Sequence, residues 1–187
     1  MAVQFAQPYR FTADEYTRMA EQGFIRAGAR VELIDGEIIE MSPIGSRHNA
    51  FVDRLTRLLV TKLGDTAIVR VQGSIRLDDR VMPQPDFTVL RPRGDFYEAD
   101  LPGAADVMLL VEVADSSLSY DRSEKSRLYA RYGIPEYWLL DLVQNIVLVH
   151  TEPGPMGYQH VEIRNRDDIW NSHSLPGLRL GGAEILG

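Results

Sequence analysis

Cysteine is absent from the 187 residues, which removes disulfides, thiolate metal sites and a cysteine nucleophile together. No apolar run approaches the ~18 residues of a membrane span, so no membrane partner is expected. The opening segment, Met1 to Arg10, lacks the basic head and apolar core of a signal peptide. These absences predict a cytoplasmic protein. Histidine is scarce too: His48, His150, His160 and His173 stand far apart, without zinc-ligand spacing, and a structural zinc is not expected. Basic residues are outnumbered, 20 against 27 acidic ones, for a net charge of −7. That balance counts against broad electrostatic attraction to nucleic acid, which rests on cations that displace counterions. A local basic patch or a metal would have to compensate. Internal repeats and low-complexity tracts are also missing, and the length suits a single domain spanning residues 1–187 with a real core.

What the chain does have is concentrated between Pro83 and Asp141. Glu112 lies in Val107-Met108-Leu109-Leu110-Val111-Glu112-Val113, an apolar run that reads as a fully buried strand. A buried carboxylate is costly unless a cation or metal pairs with it. Asp86 follows Pro83-Gln84-Pro85, which forces extended backbone and brings Asp86 to the start of a neighbouring strand. A helix over residues 119–132 places Asp121, Lys125, Leu128, Tyr129 and Tyr132 on one stripe, with Arg127, Ala130 and Arg131 elsewhere. Lys125 therefore shares the face that packs on the sheet. Two acids on adjacent strands and one inward lysine suit metal-assisted phosphodiester hydrolysis, the acids holding a hard divalent cation such as Mg²⁺ or Mn²⁺. The bland alternative pairs Asp121 with Lys125 as an i,i+4 ion pair.

Around this segment the sequence predicts simpler features. Thr12 and Glu15 are spaced as a capping box at the start of a first helix. Asp35-Gly36 joins Val31–Ile34 to Glu37–Met41 as a hairpin. A helix over about 47–63 carries the stripe Phe51, Val52, Leu55, Leu58, Leu59 and Leu63, with His48 on the same stripe in the first turn. His48 is read either as a hydrogen-bonded structural residue or as a group supporting a site. Residues 67–77 alternate, with Val69, Val71, Ile75 and Leu77 on one face. Arg70, Gln72, Ser74 and Arg76 lie on the other, as a solvated face, an oligomer contact or a wall whose arginines touch phosphates. The breaker-rich stretch 91–106 is a loop. Ser117 or Ser119 is expected to cap the lysine helix. Strands are expected at Tyr137–Leu142, Ile146–His150 and Tyr158–Arg164, followed by a turn-rich tail packed on the domain edge.

The combination Pro-Asp at 85–86, Val-Glu-Val at 111–113, Asp-x-x-x-Lys at 121–125 and Gly-x-Pro-Glu-Tyr-Trp-x-x-Asp at 133–141 resembles the Uma-two family. These are nucleases of the restriction-endonuclease-like PD-(D/E)XK superfamily, and the resemblance covers nearly the whole chain. It implies an α/β (α+β) fold: a central mixed sheet flanked by helices in α-β-β-β-α-β order, with an extra N-terminal helix and hairpin. The periodicity from residue 47 onward gives the same order. The superfamily pattern expects lysine two residues after Glu112, where Ala114 stands; the family places it on the next helix, at Lys125. By this resemblance, Asp86, Glu112 and the Val113 carbonyl hold Mg²⁺ or Mn²⁺, and Lys125 positions water. Glu32 is then a third acid, against the plain alternative of a solvated strand carboxylate. His48, Gln84 and Asp121 are candidate supporting or substrate contacts. The implied activity is DNA endonuclease cleavage, with a homo-oligomer to cut both strands. Two other readings stand beside it: an inactive binding or oligomerisation module, and a hydrolase of RNA or another phosphoester.

Overall fold

The structure is a computed structural model that describes residues 7–115 and 117–187; residues 1–6, most of the Met1–Arg10 segment, and Ser116 lie outside the described residues. Helix α1 (Ala13–Glu21) begins at the Thr12 cap, where both halves of the capping box form. A hairpin of β1 (Val31–Ile34) and β2 (Glu37–Glu40) follows, with Asp35 and Gly36 at positive φ in its turn. Next come α2 (Ser46–Leu63), β3 (Ile68–Val71), β4 (Phe87–Leu90) and β5 (Val107–Ala114). The lysine helix starts as α3 (Leu118–Tyr120), widens into a π turn at Asp121–Lys125, and continues as α4 (Ser126–Arg131). Three further strands, β6 (Glu136–Asp141), β7 (Ile146–Gly154) and β8 (Gly157–Arg164), precede a short pair, β9 (Ile169–Asn171) and β10 (Arg179–Gly181), and α5 (Gly182–Leu186).

One mixed sheet of six strands runs β3-β4-β5-β6-β7-β8. Only β5 and β6 pair in parallel, which is why the lysine helix must cross between them. Both sheet faces are covered, so β5 and β6 are buried along nearly their whole length and are mostly apolar. On one face Leu109, Val111 and Val113 pack with Trp138 against Leu55 and Leu59 of α2. On the other, Leu110, Ala114, Tyr137 and Leu139 meet Leu128 and Tyr129 of α4. A third cluster joins Ala13 and Tyr16 of α1 to Leu33 of the hairpin and Met82. Paired backbone bonds between Leu33 and Met82, at 3.2 and 2.8 Å, pin the hairpin to the segment before β4.

Three expectations need correction. The alternating run 67–77 forms a strand only over Ile68–Val71, because Gln72 turns to φ 49° and Gly73 follows. Val71 is consequently exposed, while Ile75 buries in the α4-side cluster rather than beside Val69. On the lysine helix Ala130 is buried rather than outward, and Tyr132 is only partly covered. The widest miss is the tail. Trp170, Leu178, Leu180 and Ile185 belong to the α2-side core, with Trp170 set edge-on against Trp138 at 6.0 Å. Glu136 holds this tail: its carboxylate accepts from the Ser172 hydroxyl (2.6 Å), the Ser174 amide (2.8 Å) and hydroxyl (2.7 Å), and the Trp138 indole (2.7 Å). Truncating Trp170→Ala should therefore cost about 3–5 kcal/mol in urea denaturation. A loss under about 1 kcal/mol would show that the tail is a dispensable edge.

Candidate functional site

The last register pair between β4 and β5 is Phe87 with Val111. Carried one residue further, the antiparallel register sets Asp86 opposite Glu112. Their side chains share the sheet face covered by the lysine helix, and the Asp86 amide donates to Glu112 Oε2 at 3.3 Å. The Val113 amide donates to Asp86 Oδ2 at 2.9 Å. Its carbonyl points to the same strand edge as its amide, because both groups of one strand residue project to one side.

Lys125 enters from above. Its ammonium lies 3.0 Å from Glu112 Oε1, 3.3 Å from Glu32 Oε2 and 3.9 Å from Asp121 Oδ1. The π turn keeps Asp121 and Lys125 both buried. Wide turns of this kind recur where a helix must aim particular side chains. Tyr129 donates to Glu112 Oε1 at 2.7 Å, and the Gln84 amide approaches Glu32 Oε2 at 3.4 Å. His48, in the first turn of α2, reaches Asp86 Oδ2 at 3.0 Å, so the structural and supporting readings of this histidine merge in one contact. Ser117 occupies the cap position but turns its hydroxyl to Asp121 instead of capping the helix. Glu32 is buried, which removes the reading of a solvated strand acid.

The structure thus brings Glu32, Asp86, Glu112, Asp121, Lys125, His48 and Gln84 to the wall of one cavity of about 320 Å³, which Val113, Ile39 and Met41 also line. Two partners escaped the sequence reading. Gln72 donates to Asp86 Oδ1 at 3.1 Å, and Tyr129, expected only to pack, is bound to Glu112. The polar stripe containing Gln72 was the available signal. The two arginines of that stripe do not join the cavity: Arg76 pairs with Asp14 (2.7 Å) and Asp79 (3.0 Å), and Arg70 reaches the Phe96 carbonyl.

Four buried acids face one buried lysine here, and the electrostatics follow from that imbalance. Burial disfavours the Lys125 ammonium, but Glu112, Glu32 and Asp121 outweigh it and raise its pKa. Burial also opposes the charge on Asp86, yet the His48, Val113 and Gln72 contacts prevail and lower its pKa. Glu112 goes the other way: burial, against the pull of Lys125 and reinforced by Asp86, Asp121 and Glu32, pushes it up to about 8. Asp121 is likewise raised by burial against Lys125 and Ser117. Glu32 Oε1 is buried without a hydrogen-bond partner among the described residues. Among the described residues no three His, Asp or Glu side chains stand as a ready metal-ligand cluster, since Lys125 lies between Glu32 and Glu112.

Residues 13–183 match the Uma2 family, described as "Putative restriction endonuclease". The chain belongs to the Uma2 family. An uncharacterized protein of Synechocystis sp. is 28% identical over 135 residues, covering 70% of this chain and 74% of the relative. The crystal structure of a "putative nuclease belonging to DUF820" from Anabaena variabilis superposes with a TM-score of 0.74 at 19% identity, covering 94% of this chain and 97% of that one. The Uma2 chain accordingly has the mixed α/β architecture of a restriction-endonuclease-like fold. No helix among its described residues is long and apolar enough to cross a membrane.

The raised pKa of Glu112 has a measurable consequence. Between the ordinary 4.5 and about 8, the folded protein keeps a proton that the unfolded chain has released. The folded state then binds more protons, so stability falls as pH rises through that window. Denaturation of metal-free protein from pH 5 to 8 should show this decline, with a slope for this one group of up to about 1.4 kcal/mol per pH unit. Glu112→Gln should flatten it; an unchanged slope would place the titrating group elsewhere.

Proposed function

We propose that this chain is a divalent-metal-dependent DNA endonuclease. The observation that carries the reading is the excess of buried carboxyl groups: Glu32, Asp86, Glu112 and Asp121 converge on a cavity whose one buried cation among the described residues is the Lys125 ammonium. Uncompensated buried carboxylates are costly, and a cation offsets that cost. The donor chemistry fits a hard ion. Among the described residues, Asp86 Oδ1 and Glu112 Oε2 each accept only one protein hydrogen bond, the latter a long one at 3.3 Å, and Glu32 Oε1 accepts none. All are oxygens, as Mg²⁺ and Mn²⁺ prefer. Asp86, Glu112 and the Val113 carbonyl would hold the ion, with Glu32 beside them. Bound there, the ion would supply Lewis-acid neutralisation of the phosphate charge and acidify water.

The protein side chains supply the rest. Lys125, held protonated between Glu112 and Glu32, orients the attacking water by hydrogen bonding and adds a fixed positive charge beside the ion. Tyr129 fixes Glu112 and His48 fixes Asp86, so neither carboxylate must reorganise when charge develops. Incubation with supercoiled plasmid should give nicks with Mn²⁺ or Mg²⁺ and none with EDTA. Glu112→Gln and Lys125→Ala should each lower the rate about 10²-fold or more. Parallel arms with RNA and single-stranded DNA test the substrate. Equal residual cleavage by wild type and both variants would identify a contaminant and overturn the assignment. Tight DNA binding without cleavage would leave a binding module instead.

Metal binding has a second readout. Added Mn²⁺ should raise the melting temperature of the wild type and raise it less for Asp86→Asn, since only the folded state presents the site. Equal shifts in both proteins would rule out Asp86 as a ligand.

A further inference from the structure

The two edges of the central sheet are built differently. At one, β3 is four residues long and is cut off by the positive φ of Gln72 and by Gly73. A short edge that ends in a twist resists pairing with another chain. At the other, β8 runs for eight residues, and its stretch from Tyr158 to Arg164 contains neither proline, glycine nor lysine. Among the described residues no strand pairs with its outer edge. Its outward apolar residues are uncovered, Val161 at 52% and Ile163 at 56% exposure. An exposed strand of that length lacks the proline and lysine that commonly block edge-to-edge pairing, and its own charges, Glu162 and Arg164, are of opposite sign.

We propose that β8 pairs antiparallel with β8 of a second copy of this chain, about a twofold axis through Val161, so that the two sheets become one continuous twelve-stranded sheet. The sequence of the strand selects both the occupant and the register. With the axis at Val161, Val161 meets its own copy, Gln159 meets Ile163, and His160 meets Glu162 twice over by symmetry. Directly opposed side chains share a face, so the imidazole lies beside the carboxylate. Moving the axis one residue to Glu162 would set that acid against itself and His160 against Arg164. Moving it to His160 would set the histidine against itself. A register centred on Ile163 would also be apolar at its centre and would set Glu162 against Arg164, but it pairs only residues 162–164 of the strand, whereas the Val161 register pairs 158–164 and keeps opposite charges together around its centre. In the single chain His160 leans on exposed Glu152 at 3.2 Å, and Glu162 on Arg164 and on exposed His173 at 3.7 Å. Such surface pairs contribute little and yield readily to new partners.

The absence of native cysteine makes the register directly testable. Opposed residues in an antiparallel pair have Cα atoms roughly 4.5–5.5 Å apart, within disulfide reach. Under mild oxidation, full-length Val161→Cys should cross-link to itself, while Ile163→Cys, displaced from its own copy along the strand, should not. Should Val161→Cys fail to fold, a mixture of Gln159→Cys and Ile163→Cys chains tests the same register through their mutual cross-link. Sedimentation equilibrium of the wild type should give twice the chain mass of 21.1 kDa. His160→Glu should weaken the dimer roughly tenfold and Glu162→Arg should weaken it similarly, and combining the two should restore it. A monomer at all concentrations overturns the proposal. So does a dimer in which Val161→Cys folds but cross-links no faster than Ile163→Cys. Neither outcome bears on cleavage, which is measured separately.

Discussion

The Lys125 ammonium is the point at which three separate parts of the chain bring their carboxylates together. Glu32 belongs to a hairpin whose own core is shared with α1, Glu112 belongs to the central sheet, and Asp121 belongs to the lysine helix itself. Replace the ammonium by an apolar group and three carboxylates would face one another in a buried cavity. The penalty for such uncompensated charge exceeds what the pair contributes over a hydrophobic isostere. The arrangement is thus a poor way to stabilise a protein and a good way to hold charge in fixed geometry. That contrast is what makes the cavity a functional candidate and not merely a packed polar core.

Why the lysine comes from a helix can be argued from Ala114. Glu112 and Ala114 project from the same face of β5, and Ala114 is fully buried in the cluster that includes Leu128 and Tyr129. A long side chain at 114 would compete for the volume those residues fill. The small residue lets the lysine helix settle on the sheet, and the helix then delivers an ammonium to Glu112. The π turn is part of the same solution, since it keeps Asp121 and Lys125 inward while α4 presents Leu128 and Tyr129 to the sheet. One residue's lack of bulk and one widened turn together replace a strand lysine.

The fold's periodic parts were legible because period and burial coincide: the β5 run, the α2 stripe, the Asp35-Gly36 turn and the order of elements around Asp86 and Glu112 all follow from it. The gathering of Asp86, Glu112, Lys125 and His48 was legible for a related reason: Glu112 and His48 sit at a fixed phase of regular elements, Asp86 lies one residue before β4, and Lys125 keeps its inward phase through the π turn. What broke the reading was irregular backbone. Gln72 reaches Asp86 only because the strand ends beneath it, and alternation offers no warning of a positive φ at a non-glycine residue. Tyr129 was placed on the correct stripe, but a pattern of apolar positions does not reveal where a phenol hydroxyl lands. The tail was misjudged because its buried residues are spread through turns. The carboxylate that fastens it, Glu136, lies 36 residues earlier than Ser172 in sequence.

The net charge of −7 argues against a nucleic-acid partner only if all of it is at the surface. It is not. Six of the 27 acidic residues, Glu32, Asp86, Glu112, Asp121, Glu136 and Asp141, are buried, as is one of the 20 basic residues, Lys125. The remainder, 21 acidic against 19 basic, is nearly balanced. A polyanion approaching this protein would therefore meet a surface far less repulsive than composition suggests, with four of the six buried acids gathered at the cavity. There they repel a bare phosphate, and a divalent ion is the simplest agent that would turn that repulsion into attraction. The same acids that make the chain look unsuited to nucleic acid in composition are the ones whose position makes metal-dependent phosphodiester chemistry the most economical account of the cavity.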